Sequence, residues 1–100
     1  KALQKIDTDL FLELFEGVPQ KKVSISKIKK GIDIISALVL ETGFLKSNGE
    51  AKRALSENSI SVNQVKVDQK YIVDQNDLIA AHYILLKRGK KSFFILNVID

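Results

Sequence analysis

Ser47-Asn48-Gly49-Glu50-Ala51-Lys52-Arg53-Ala54-Leu55 is the stretch on which the reading of this chain turns. A Ser followed three residues later by Glu, just ahead of a helix-periodic apolar pair, is a capping-box signature. The Ser47 hydroxyl and the Glu50 carboxylate each satisfy a backbone N–H that a helix start leaves unpaired. The helix so begun is two-faced. Ala51, Ala54 and Leu55 fall on one side, and Gly49, Lys52, Arg53 and Ser56 on the other. A helix start also suits an anion, because free N–H groups and the positive end of the dipole point outward. Gly49 permits close backbone approach, and Lys46, Lys52 and Arg53 add cations. Glu50 is the one local charge that offsets this field. Capping and solvent cover account for the same residues; the roles are compatible, since capping uses the Ser47 side chain and leaves the outward face free.

Upstream, Asp33 is a plausible N-cap for a helix over 33–42, with Ile34, Ile35, Leu38 and Val39 buried and Gly43 as the terminating residue. Residues 33–57 thus read as a helix–turn–helix. Before it, 18–30 reads as a basic, linker-like loop with at most a short strand around Val23 and Ile25. A helix is expected over 6–16, where Ile6, Leu10 and Leu14 share a stripe with Phe11 and Phe15 beside it. Asp7 and Asp9 sit at its start, and Gly17 and Pro19 end it.

Downstream, the period drops from 3.6 to 2. Ile60 and Val62, then Val65 and Val67, flank Asn63-Gln64, which predicts a tight hairpin. Tyr71–Val73 is a further short strand and 74–77 a turn. Residues 78–86 and 92–99 are two longer strands, apolar on both faces and therefore central or covered, joined by Lys87-Arg88-Gly89-Lys90-Lys91. Helices first and a mostly antiparallel sheet afterwards make an α+β fold, a short helix–turn–helix packed on a small sheet. The expected division is an N-terminal helix and basic connector over 1–30 and the α+β domain with its closing hairpin over 31–100.

Composition narrows the chemistry. One hundred residues suit a single domain. Hydrophobic residues at 45% and charged residues at 28% are ordinary for a globular chain. Cysteine is absent, which removes disulfides, thiolate zinc sites and Cys nucleophiles, and a single histidine argues against multi-histidine metal centres. His82, inside an apolar run, reads as a strand residue with a satisfied ring. The pairs Asp7/Asp9 and Asp74/Asp77 suit a helix start and a turn. No phosphate-binding loop of the Walker type and no GxSxG elbow is present. No catalytic or metal residues are therefore assigned. No apolar stretch reaches the ~18 residues of a membrane helix and no signal peptide is visible, so a soluble, cytoplasmic chain is expected. It begins Lys1-Ala2-Leu3 without a methionine, as a fragment or processed piece would.

The net charge of +4 is unevenly placed. Residues 21–30, 46–53 and 87–91 carry +5, +2 and +4, against −7 elsewhere. Such segregation is the footprint of a polyanion-binding surface if the clusters converge in space.

Thr42-Gly43, the Ser47–Arg53 helix start and Val62-Asn63-Gln64 together resemble the small alpha-L RNA-binding domain. That module is shared by a small-subunit ribosomal protein, pseudouridine synthases and bacterial tyrosyl-tRNA synthetases. Phe15-Glu16-Gly17-Val18-Pro19 and Leu85–Phe93 resemble the connector and closing hairpin of the last family's C-terminal domain. The resemblance implies binding to the variable arm of tyrosine tRNA, with Lys46, Ser47, Asn48, Lys52, Arg53, Asn63 and Lys66 facing RNA and Lys90 and Lys91 adding to them. It also implies ATP and magnesium in a separate N-terminal catalytic domain, whose HIGH and KMSKS signatures are absent here, and a homodimeric parent. This fragment by itself is then no enzyme. A ribosome-associated or pseudouridine-synthase-like protein using the same module, and a protein-interaction module docking through Phe11 and Phe15, are the alternatives. One departure stands out: the family places Gly after the hairpin Asn, and this chain has Gln64. A type I′ turn needs positive φ at both central residues, so either the turn type differs or the turn is strained.

Overall fold

The computed structural model describes residue 13, residues 15–79 and residues 82–99. In chain order these form β1 (Gln20–Ser24), α1 (Ile25–Lys30), β2 (Ile32–Asp33), α2 (Ile34–Leu38), α3 (Asn48–Ser56), β3 (Ile60–Val62), β4 (Val65–Lys66), β5 (Ile72–Val73), a 3₁₀ turn (Gln75–Asp77), β6 (Tyr83–Arg88) and β7 (Ser92–Ile99). The main sheet has the order β1-β7-β6-β3-β4, and β2 pairs with β5 in a second, two-stranded sheet. Every pair is antiparallel except β1 with β7. The α+β expectation holds, with the helices gathered against a mostly antiparallel sheet.

The long strands explain the apolar tail. Because side chains alternate across a strand, Ile84, Leu86, Leu96 and Val98 face one way. They pack with Ile28 of α1, Ile34, Ala37 and Leu38 of α2, and Ala51, Ala54 and Leu55 of α3. Leu85 and Ile95 face the other way and pack with Ile79, Tyr83, Phe15, Val18 and Phe93. Both faces of β6 and β7 are therefore covered, as their composition requires.

Three local expectations change. The basic loop over 18–30 is instead a full edge strand and a helix. Gln20–Ser24 runs parallel to β7 in the register Gln20 to Ile95 and Ser24 to Ile99. The Ser24 hydroxyl then caps α1 by accepting the Ser26 N–H. The helix over 33–42 is shorter: Asp33 caps it by accepting from Ser36 N–H and Oγ–H, but it ends at Leu38 and continues as turns. The strand over 78–86 starts only at Tyr83. Ile79 and Tyr83 form an isolated antiparallel bridge, and His82 is exposed, with its ring edge-on to Tyr83.

Gly31 joins α1 to β2 with φ 89°, and a Cβ there would lie 2.8 Å from Ile72 Cγ2. A side chain at this position is opposed by backbone conformation and by space together. The helix expected over 6–16 lies outside the described residues apart from Glu13, Phe15 and Glu16. The chain passes through a turn at Phe15–Gly17, where Val18 N–H bonds to Phe15 O.

Candidate nucleic-acid interface

The Ser47 half of the expected capping box forms at the start of α3. Glu50 N–H donates to Ser47 Oγ at 3.1 Å. The carboxylate reaches one residue further back than the usual box, and Oε1 accepts the Lys46 N–H at 3.0 Å. The cap spends the Glu50 N–H, and among the described residues those of Asn48 and Gly49 meet no acceptor. Ala51, Ala54 and Leu55 are buried, while Lys46, Ser47, Asn48, Gly49, Lys52, Arg53 and Ser56 are exposed, as the helical period requires.

Glu50 does not dilute this face as its position in sequence suggests. Its second oxygen, Oε2, accepts from Arg88 Nη1 at 2.6 Å. The Lys46 N–H, then Arg88, hold the Glu50 carboxyl below the usual glutamate range. The acid is thus turned toward the sheet and neutralised there. By sequence Arg88 is one more charge in a basic turn. Its bonding role is invisible at that level because it depends on β6 lying beside the strand that follows α3, with Arg88 opposite Ile60.

The same bond draws two basic clusters together. Gly89 N–H donates to Ser59 O at 2.8 Å, just past the C-terminus of α3, so the turn bearing Lys90 and Lys91 meets that helix end. Lys66 Nζ donates to Asn58 O at 2.7 Å beside it. The cluster over 21–30 does not join them. It sits on β1 and α1, and β1 pairs with Ile95–Ile99, the half of β7 farther from the turn that bears Lys90 and Lys91. Among the described residues the ion pairs are Arg88–Glu50 and Lys27–Glu41. Lys46, Lys52, Arg53, Lys90 and Lys91 are exposed and, among the described residues, have no carboxylate within 4.0 Å.

Asn63 is the residue the structure places otherwise. It is 8% exposed. Its Nδ2 donates to Asp77 O, and its Oδ1 accepts the Leu85 N–H at 3.0 Å, while its own N–H donates to Leu85 O at 2.8 Å. Asn63 therefore extends the β3–β6 ladder by one rung and pins the hairpin to the segment before β6. The Asp77 carboxylate accepts from the Tyr71 hydroxyl and from Asp74 N–H. Burial, then Asp77, pushes the Tyr71 hydroxyl well above the ordinary tyrosine range. The turn itself is of the primed kind, with φ 52° at Asn63 and 71° at Gln64. Gln64 thus occupies a left-handed position where a side chain costs energy, which settles the choice between a different turn and a strained one.

Among the described residues no group of three or more His, Cys, Asp or Glu side chains gathers as a metal would need. None of their helices is long and apolar enough to cross a membrane.

Comparison with known proteins shows the family of the chain. Residues 11–96 match the family model described as "Tyrosine--tRNA ligase SYY-like C-terminal domain". A tyrosine–tRNA ligase of Flavobacterium johnsoniae is 46% identical over 97 residues, 97% of this chain and 22% of that protein. One from Flavobacterium psychrophilum is 49% identical over 96 residues, 96% of this chain and 22% of the relative. One from Porphyromonas gingivalis is 35% identical over 99 residues, 98% of this chain and 23% of the relative. The chain thus spans less than a quarter of the length of these relatives.

Proposed function

The chain belongs to the tyrosine–tRNA ligase C-terminal domain family, and from that premise we propose that it binds the variable arm of tyrosine tRNA for a catalytic domain of the same protein. Lys52 and Arg53 stand at the centre of the contact, with Lys46, Ser47 and Asn48 at the helix start. Lys66, Lys90 and Lys91 lie along the neighbouring hairpins. Phosphates are met by mobile cations and by the open N–H groups of Asn48 and Gly49. Specificity then follows from the shape of a folded RNA more than from base-edge readout. Asn63 has no place in the contact, because both ends of its amide are spent inside the protein.

The observation that carries the proposal is the separation of charge on α3. Lys52 and Arg53 are exposed with no carboxylate within 4.0 Å among the described residues, although Glu57 follows at the end of the helix, and Glu50, the acid inside the 46–53 cluster, is bonded to Arg88 on the sheet side. ATP and magnesium belong to the catalytic domain of the parent, a cytoplasmic and homodimeric tyrosine–tRNA ligase. This chain carries neither signature motif for the nucleotide and supplies tRNA placement, not chemistry.

Replacing Lys52 and Arg53 together by Ala should lower the affinity for a bacterial tyrosine tRNA about tenfold, as two exposed charge contacts imply. The melting temperature should stay unchanged. Equal affinity of variant and wild type would overturn the assignment. Titration with ribosomal RNA hairpins in parallel separates tRNA binding from a ribosomal role.

A further inference from the structure

A cavity of about 250 Å³ opens between the β3–β4 hairpin and residues 71–77. Its walls are Val62, Val65, Val67 and the ring of Tyr71, with Asp77 and Lys66 supplying charge. It lies at the edge of the main sheet, where β4 is the last strand among the described residues. Val65 is 40% exposed and Lys66 is exposed, so the entrance is open to solvent.

The lining selects its occupant. The volume lies just below the range of ligand pockets, ~300 to ~1,000 Å³, and suits one ring system. Valine walls and an aromatic ring favour a flat, apolar-faced group. Asp77 is 9% exposed, and its Oδ1 and Oδ2 each accept one bond, from Tyr71 O–H and Asp74 N–H. An ionised carboxylate has about four lone-pair sites, so acceptor capacity remains for N–H donors. The buried negative charge disfavours a phosphate inside, while Lys66 favours one at the mouth. Lys66 also ties the cavity to the proposed RNA face, because its Nζ bonds Asn58 O beside the end of α3.

We infer that this cavity receives one unstacked nucleobase of the RNA that lies across α3, its ring against Tyr71 and the valines and its N–H groups toward Asp77. Guanine, with adjacent imino and amino donors, matches a carboxylate best. The inference rests on the RNA-binding reading above and adds to it a base-reading site where that reading has only phosphate contacts.

The test uses tyrosine tRNAs carrying a single abasic nucleotide at each unpaired position in turn, titrated against the 100-residue chain. One position should weaken binding about tenfold, as loss of a base–aromatic contact does, and guanine should be preferred there. Val65→Trp, which fills the mouth from an exposed edge position, should lower affinity for the intact tRNA to a similar degree. It should also abolish the effect of that abasic site. Val65→Phe provides a second, smaller plug should the first melt early. The Lys52→Ala, Arg53→Ala variant should bind more weakly yet keep its sensitivity to the abasic site. If no abasic position matters, or if the sensitive position matters equally in both Val65 variants, the nucleobase site is wrong while the α3 interface stands. If the chain binds no tRNA, or binds it independently of Lys52 and Arg53, the interface itself is wrong and the base site falls with it.

Discussion

On α3, Lys52 and Arg53 stand out from a helix whose other side carries Ala51, Ala54 and Leu55, whereas at the β3–β4 turn Asn63 points inward and bonds Asp77 and Leu85. The two regions are both polar in sequence and carry the same resemblance to an RNA-binding module. In a helix the face a residue occupies follows from its spacing to apolar neighbours. At a two-residue turn it follows from backbone conformation and from which strand lies beside the turn, neither of which spacing reports. The helix therefore leaves its polar groups exposed, and the hairpin spends its turn asparagine on holding itself in place.

That contrast can be broken at several points. Asn63→Ala leaves the Leu85 N–H and the Asp77 carbonyl without their partner, and each such buried loss costs ~1–3 kcal/mol. A destabilisation of about 3 kcal/mol in urea unfolding is expected; a loss near zero would mean the hairpin does not depend on the asparagine. Ser47→Ala removes the cap of α3 and should cost ~1 kcal/mol, because the helix is held by its buried face as well. Gln64→Gly relieves the left-handed position at φ 71° and should stabilise by ~0.5 kcal/mol after the added freedom of the unfolded chain is offset. The smallest effect is that of pH at Glu50. Its carboxyl is held low in the folded protein, first by the Lys46 N–H and then by Arg88. Its contribution is present at neutral pH and is lost as pH falls through that lowered value. Melting temperatures of the wild type should therefore drop more steeply in the acid range, below the ordinary glutamate pKa, than those of Glu50→Gln; parallel curves would mean that the bridge contributes nothing to stability.

Much of the fold is legible in the sequence, and the reasons differ by region. Ser47 and Asp33 announce themselves because capping residues act locally, and α3 because its apolar positions repeat at the helical period. The edge strand Gln20–Ser24 is not legible. Its partner is β7, far along the chain, and among its residues only Val23 is buried, so no alternation marks it. α1 is equally faint, a six-residue helix with Ile28 as its one buried residue. Residues 78–82 read as strand because they are mostly apolar, yet Ile79 serves a cluster with Tyr83, Leu85 and Ile95 rather than a long ladder. At the site, the exposed Lys52 and Arg53 of α3 are legible and the Arg88–Glu50 bond is not, since it spans residues brought together by the β3–β6 pairing. Asn63 is buried, where asparagine at a turn reads as solvent-facing until the neighbouring strand is known.

The central claim, that the outward face of α3 binds tyrosine tRNA by neutralising phosphates, is tested most directly by the salt dependence of that binding. Affinity should fall linearly on logarithmic axes with added salt. Replacing Lys52 and Arg53 by Ala should reduce the slope by about two units, near one for each phosphate left without its cation. Gln64→Gly should leave the slope as it is. A wild-type affinity flat across a tenfold range of salt, or a slope that the double variant does not change, would contradict the claim.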